Sequence, residues 1–325
     1  MPTAAAAAVA DRLRASRQVL LVAHRPPDAD GVGSMLALGG LLSRLAKETT
    51  LVCTAALDAG LLLLPGVEAV REELPQDGRW DTAVLLDCAS LERAGLPPDA
   101  IARAGVVLNV DHHLTNPGFG DMNWVDASAP ATAALVAEIF DALGQALTPA
   151  DATCLYAGVL TDTDRFTAES ATPAAHRLAA RLLEAGAASV GVASAMYASR
   201  SPAALRLLAR ALDRLRVSAD GRVSWIALAA DDFAAAGVDV LGAEDLAPVA
   251  LGVEGVWAAA YIRPGADGVR VGLRSRHPRL DVAAVAARFG GGGHRWAAGF
   301  TDPDAAGAVD RAVGALEEAV RRVGA

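Results

Sequence analysis

The chain has 325 residues, 53% apolar and 21% charged, which is enough for two globular domains with a core each and excludes a disordered polymer. A net charge of −9 excludes a broad basic surface for long nucleic acid, yet leaves room for a small basic pocket that takes a short anion. Aromatic residues are only 4%, so the cores must rest on Ala, Leu and Val.

The N-terminal MPTAAAAAVADRLRASRQ reads as a helix, because it lacks the basic start and long apolar stretch of a signal peptide. VLLVAH (19–24) reads as a strand and GSMLALGGLLSRLAK (33–47) as a helix. TLVCTA (50–55), DTAVLLD (81–87) and GVVLNVD (105–111) read as strands. LLLL at 61–64 is too short to cross a bilayer, so no membrane contact is expected, and three cysteines that read as buried thiols without disulfides lead to the expectation of a cytoplasmic protein. Helices are expected over 131–144, 149–163 and 172–187. This alternation predicts an α/β fold with a parallel sheet covered by helices on both faces.

The pattern changes after residue 187. A helix is expected over 201–217, a strand over 221–230, a hairpin over 256–276 with its turn near PGADG, and a helix over 281–289. The expected organisation is a catalytic domain at 1–187, a helical linker at 188–215 and a smaller α/β domain at 216–325. Cys53, Cys88 and Cys154 share no metal-type spacing and read as buried thiols.

Acids and histidines gather at the ends of these elements. In VAHRPPDADGVGS, His24 ends a strand and Asp28 and Asp30 follow in a loop held by prolines. A helix cap by Asp30 or Ser34 is the simpler reading of that loop. Asp87 ends VLLD, where a carboxylate serves equally as a turn residue or as a ligand. NVDHHLTN places Asp111, His112 and His113 straight after an apolar run, and AGVLTDTDRF places Asp162 and Asp164 at a helix end. Imidazole and carboxylate donors together suit Mn, Fe, Co or Zn, whereas Mg prefers oxygen alone. So many carboxylates at one sheet edge would need cations, and two divalent ions predict hydrolysis of a phosphate ester or anhydride. Downstream, FGGGGHRWAAGF (289–300) sets four glycines before an expected helix, exposing amides to an anion. GLRSRH adds Arg274 and Arg276, whose guanidiniums suit phosphate.

These segments resemble a known family. HRPPDADGVGS, LLDCAS, VDHHLTN and TDTDRF look like motifs I to IV of the DHH phosphoesterase superfamily, and GLRSR with FGGGGHRWAAG resembles its DHHA1 domain. Size resembles the stand-alone oligoribonuclease branch, whose members degrade very short RNA and often dephosphorylate 3′-phosphoadenosine 5′-phosphate. The resemblance implies a Mn2+-dependent hydrolase of short oligonucleotides and nucleotide phosphates, with Mg2+ or Co2+ as possible substitutes and a homodimer as the expected assembly. It implies that His24, Asp28 and Asp87 hold one ion, that Asp30, Asp87, His112 and Asp162 hold the other, and that Asp87 bridges them. His113 would contact the scissile phosphate or protonate the leaving group, and Asp111 would orient a histidine. Arg274, Arg276, Gly290, Gly291, Gly292, Gly293 and His294 would bind the far phosphate and base, in a cleft that fits only a few nucleotides. Alternatives are a 5′→3′ single-strand exonuclease like RecJ, a cyclic-dinucleotide phosphodiesterase, a manganese pyrophosphatase and a non-enzymatic nucleotide-binding protein. Ala29, Gly31 and Asp164 depart from the usual pattern, Asp164 standing where Gly is usual.

Overall fold

The computed structural model describes residues 3–198, 200–240 and 245–324. The expected domain ends at residues 1 and 325, and Ser199 within the expected linker, lie outside them. The chain divides after residue 199 into two compact units.

The first unit opens with α1 (Ala4–Ala15), capped by the Thr3 side chain on Ala6 N–H. Then come β1 (Gln18–Ala23), α2 (Ala29–Arg44), β2 (Glu48–Val52), β3 (Val70–Arg71), β4 (Thr82–Leu86) and the short α3 (Pro98–Ile101). β5 (Val107–Asp111), β6 (Met122–Val125), α4 (Thr132–Leu143), α5 (Pro149–Asp162), α6 (Pro173–Glu184) and α7 (Ser189–Ala193) complete it. The six strands are all parallel and lie in the order β3-β2-β1-β4-β5-β6. The central runs QVLLVA and TAVLL are continuous apolar stretches because both faces of a parallel sheet are covered.

The covering is uneven. Val19, Leu21, Val84, Leu86, Leu108 and Val110 face a core built with α1, α2, α4 and α5. Leu20, Val22, Ala83 and Leu85 face a thinner layer containing Trp80, Leu96, Ala94 of a 3-10 turn at Leu91–Ala94 and Ile101 of α3. Each leucine buried in this way contributes roughly 2 kcal/mol.

Helix α2 starts four residues earlier than the sequence pattern suggests. Its cap is neither Asp30 nor Ser34 but Asp28, whose Oδ1 accepts from Asp30 N–H and Gly31 N–H at 3.1 and 2.9 Å. Asp30 therefore stands inside the first turn, buried, instead of in a loop. α5 runs across α2, and Gly33 makes this possible: a Cβ there would lie 2.3 Å from Cys154 O. The three cysteines are free and buried.

The second unit contains α8 (Pro202–Asp213), β7 (Arg216–Val217), β8 (Val223–Ala227), α9 (Ala230–Ala236), α10 (Ala247–Leu251), β9 (Ala258–Gly265), β10 (Gly268–Ser275), α11 (Val282–Ala287), β11 (Gly292–His294), β12 (Ala297–Asp302) and α12 (Ala308–Gly324). Its mixed sheet has the order β11-β12-β10-β9-β8-β7. Leu207 and Ala211 of α8 are buried in a core with Phe233, Leu246 and Tyr261, while α7 packs on α5. The stretch 188–215 read as a linker is thus divided between the two units. Among the described residues no single helix is long and apolar enough to cross a membrane.

Candidate metal centre

β1 and β4 lie side by side, and from them the chain leaves in opposite directions across the sheet. The crevice beyond the C-terminal ends of such a pair is where open α/β sheets bind ligands. His24 directly follows β1 and Asp87 directly follows β4; Asp111 ends β5, with His112 and His113 next. Asp28 and Asp30 come from the start of α2, and Asp162 is the last residue of α5.

These side chains meet. His24 Nε2 lies 3.0 Å from Asp28 Oδ2 and 3.0 Å from Asp87 Oδ2. His112 Nε2 lies 2.9 Å from Asp162 Oδ2, 3.6 Å from Asp87 Oδ1 and 3.9 Å from Asp30 Oδ2. Two potential ligand groups result, His24–Asp28–Asp87 and Asp30–His112–Asp162, with the two oxygens of Asp87 turned one toward each. A third group, Asp87–His112–His113, overlaps them.

The scaffold positions each carboxylate. Asp30 is fully buried, and its two oxygens accept from Thr132 N–H and Ala133 N–H, at 2.6 and 2.8 Å. These are amides of the first turn of α4, which have no partner within their own helix and carry its positive dipole end. Thr132 Oγ1 donates to Asp87 Oδ1 at 3.0 Å. Asp87 has φ +59, a left-handed conformation that Asp tolerates better than most residues. Asp111 accepts from His113 Nδ1 at 2.7 Å through one oxygen and from Asn116 Nδ2 at 2.6 Å through the other.

Crowding shifts the proton affinities. Burial, then the neighbouring Asp162 and Asp87, pushes Asp30 well above the usual carboxylate range. Burial, then Asp87 and Asp28, pushes Asp162 up to about 6 in spite of its contact with His112. Burial works against a charge on His112, but Asp162, Asp30 and Asp87 outweigh it and raise that ring to about 10. Burial also opposes the charge on Asp111, yet His113 and Asn116 hold it below its ordinary value. The cluster thus keeps protons near neutral pH that a divalent cation would displace.

Two observations show that the donors fit a cation. His24 Nε2 is buried and makes no well-directed hydrogen bond among the described residues, although two carboxylate oxygens lie within 3.0 Å. His112 Nδ1 lies 3.3 Å from Ala129 O, which only accepts, so in the neutral ring the proton belongs on Nδ1 and the Nε2 lone pair faces the acids. A lone pair aimed at carboxylates needs something positive between them.

The sequence of residues 18–159 matches the model of the DHH family, N-terminal domain. A bifunctional oligoribonuclease and PAP phosphatase, NrnA, from Thermus thermophilus is 34% identical over 320 residues, covering 97% of this chain and 94% of that protein. The chain belongs to the DHH family. The Bacillus subtilis protein named as bifunctional oligoribonuclease and PAP phosphatase NrnA is 23% identical to this DHH protein, over 86% of the chain and 88% of that protein. The crystal structure of an exopolyphosphatase-related protein from Bacteroides fragilis has the same fold, with a TM-score of 0.88 at 23% identity, covering 98% and 96% of the two chains.

In this DHH protein the expected ligands His24, Asp28, Asp30, Asp87, His112 and Asp162 are brought together, with His113 and Asp111 beside them. Asp164 is not among them: its exposed carboxylate pairs with Arg165 at 2.8 Å. Its φ of +43 gives a physical reason for the glycine usual at that position.

In the second unit the segment after the glycines is not a helix. Gly292–His294 and Ala297–Asp302 form a tight hairpin, and Gly290 and Gly293 take positive φ values of 73° and 141°. Tight packing explains Gly291 and Gly293 without an anion: a Cβ there would lie 2.3 Å from Gly299 O and 2.5 Å from Ala297 O. Arg274 and His294 both pair across the ladder with Ala297, so they share a sheet face with only a methyl group between them. Arg274 forms an ion pair of 2.5 Å with Asp245, and Arg276 lies exposed just beyond β10.

Four residues of the centre carry no signal that the sequence pattern exposes. Asn116 lies within the VDHHLTN stretch but has no charge to mark it. Thr132 opens a helix as many threonines do. Arg93 and Gly158 matter through contacts with distant residues, Arg93 donating to His24 Nδ1 at 2.8 Å.

Proposed function

We propose that this DHH protein hydrolyses phosphodiester bonds of very short oligonucleotides to release mononucleotides, and removes a phosphate from 3′-phosphoadenosine 5′-phosphate. The observation that carries the reading is the meeting of five ligand side chains, His24, Asp28, Asp30, His112 and Asp162, around the two oxygens of a sixth, Asp87. The names of the Thermus and Bacillus relatives supply the substrate class.

His24, Asp28 and Asp87 would hold one cation, and Asp30, Asp87, His112 and Asp162 the other; mixed nitrogen and oxygen donors suit Mn2+ as they do Fe, Co or Zn. Bound there, two cations would neutralise the phosphoryl oxygens and supply a water acidic enough to attack near neutral pH. Thr132 holds Asp87 with one oxygen toward each ligand group, and two α4 amides fix the two oxygens of Asp30 in place. Asp111, paired with His113 Nδ1, would stabilise the ring when it carries a second proton on Nε2, and that N–H would contact the scissile phosphate or pass its proton to the leaving oxygen. Arg274, Arg276, His294 and the Gly290–Gly293 turn would bind the far phosphate and base.

The test is Mn2+-dependent product release from a labelled dinucleotide, a long oligonucleotide, 3′-phosphoadenosine 5′-phosphate and pyrophosphate in parallel. Turnover of the dinucleotide and of 3′-phosphoadenosine 5′-phosphate, without turnover of pyrophosphate, is expected. An inert dinucleotide in the presence of Mn2+ would sink the reading.

A further inference from the structure

Just past the ligand Asp162 the backbone adopts a rare conformation. Asp164, Arg165 and Phe166 take φ values of +43°, +61° and +63° in succession. Residues other than Gly, Asn and Asp seldom enter this region, and then singly, because Cβ crowds a carbonyl oxygen there. Hydrogen bonds lock the turn. Arg165 N–H donates to Leu160 O at 2.8 Å and Phe166 N–H to Thr163 Oγ1 at 3.2 Å. Thr167 Oγ1 donates to Asp164 O at 2.6 Å and Ser170 Oγ to Asp162 O at 3.0 Å. Backbone strain held this firmly clusters at functional sites.

The turn sends two neighbouring side chains apart. Phe166 packs against the core and stacks on His176, with the ring centroids 4.9 Å apart. Arg165 stays 53% exposed, its guanidinium 4.8 Å from the centroid of the Tyr197 ring. Tyr197 belongs to a π-helical turn at Ser194–Ala198. Burial raises its hydroxyl to about 12; Arg165 works against that shift, and Asp164 and Asp162 add to it. Ring, guanidinium and the Asp162 carboxylate therefore share one neighbourhood at the edge of the metal centre. The carboxylate that answers the guanidinium is Asp164, whose Oδ1 accepts from Nε at 3.2 Å and Nη2 at 2.8 Å. Both partners are exposed, so this pair is weak and easily exchanged. A guanidinium held over a ring is fixed in place, while its fork of donors suits phosphate oxygens.

The geometry points to Arg165 as a substrate-binding residue: it grips a phosphate oxygen of the bound substrate beside the Asp162 half of the centre, and Asp164 occupies it until that phosphate arrives. Tyr197 is the platform that holds the guanidinium in position. Exchange of one anionic partner for another keeps the cation paired throughout. This inference rests on the hydrolase reading above and deepens it by naming a substrate contact outside the ligand set.

The test uses the full chain with Mn2+ and compares wild type, Arg165→Met, Asp164→Gly and the double variant. Glycine tolerates the positive φ, so Asp164→Gly keeps the turn and removes the carboxylate. Arg165→Met should raise KM for a dinucleotide about tenfold with little change in kcat, the effect of losing a hydrogen bond to a charged group. Asp164→Gly should lower KM by about threefold, as expected when a weak exposed pair no longer competes. That gain should vanish in the double variant, because the guanidinium it frees is gone. An unchanged KM in Arg165→Met would overturn the contact, and an equal gain from Asp164→Gly with or without Arg165 would overturn the exchange. If Arg165→Met fails to fold, Asp164→Gly decides alone, and an unchanged KM overturns the proposal. Calorimetric binding of adenosine 5′-monophosphate with Mn2+ repeats the comparison without turnover. An inert dinucleotide would thus sink the hydrolase reading alone, whereas equal affinity of wild type and Arg165→Met for the mononucleotide, or no binding by wild type, would overturn the contact.

Discussion

Asp111 Oδ1 lies 2.7 Å from His113 Nδ1, and both groups are largely buried beside Asp87. The carboxylate only accepts, so it fixes which nitrogen of the ring carries a proton. Asp111→Asn can turn an NH2 toward Nδ1 and select the other tautomer. Turnover of a dinucleotide should fall by about 10²-fold, because the charged ring that gives up the Nε2 proton loses its carboxylate partner, while Mn2+ binding persists. Steady-state kinetics beside a metal titration check this, and unchanged kcat would remove His113 from the chemistry.

Asp87 connects the two ligand groups through separate oxygens and does so from a left-handed backbone. Asp87→Asn keeps a residue that tolerates this conformation. It should fold yet lose activity by at least about 10³-fold and bind fewer than two Mn2+ ions. Near-normal turnover would contradict the shared-ligand assignment.

Gly158 of α5 faces Asp30: a Cβ there would lie 2.6 Å from Asp30 Oδ1 and 3.0 Å from Ala133 Cβ. Gly158→Ala has no room to relax against a carboxylate pinned by two amides. A loss of about 1–3 kcal/mol in stability is expected, as for other overpacked cores, together with weakened Mn2+ binding. Denaturant unfolding and the metal titration measure the two effects, and a gain in stability with intact metal binding would contradict the packing described.

The raised proton affinities set a pH dependence. His112 binds its proton more tightly in the folded, metal-free chain, so that stabilisation is full below about 6.5 and is lost as pH rises through about 10. Asp162 acts in the same sense over a lower window: its contribution is full below 3.8 and is lost as pH rises through about 6. A metal ion must displace both protons. Mn2+ affinity should therefore climb with pH from about 6 toward 10, and near neutral pH binding should release at least one proton. Calorimetry in buffers of different ionisation enthalpy reads that proton directly, and zero release would refute the coupling.

In the second unit, His294 shares a sheet face with Arg274. In the proposed role it touches the end of the substrate that does not react. His294→Ala should raise KM for a dinucleotide by about tenfold with little change in kcat, since one lost hydrogen bond to a charged group is worth about 1.5 kcal/mol. An unchanged KM would place the far end of the substrate elsewhere.

Much of the centre was legible in the residue order. The strands VLLVA, TAVLL and VLNVD announce themselves as apolar runs, and each is followed by a residue that is costly to bury, His24, Asp87 or the 111–113 triplet. Other features misled. GGGGH followed by RWAAGF has the look of a helix start, but glycines that open a strand hairpin and glycines that open a helix have the same composition. Asp28 and Asp30 could not be told apart as cap and ligand, because the difference is a helix boundary shifted by four residues.

The amino-acid order by itself determined the sheet and the sites of its chemistry, since hydrophobic periodicity and the cost of a buried charge are local properties. Only the tertiary structure decided what packs behind each histidine. Ala129 O comes from 17 residues beyond His112, and the Arg93 guanidinium from 69 residues beyond His24. A carbonyl and a guanidinium thus face otherwise identical rings, and no local pattern records which of them the fold will bring there.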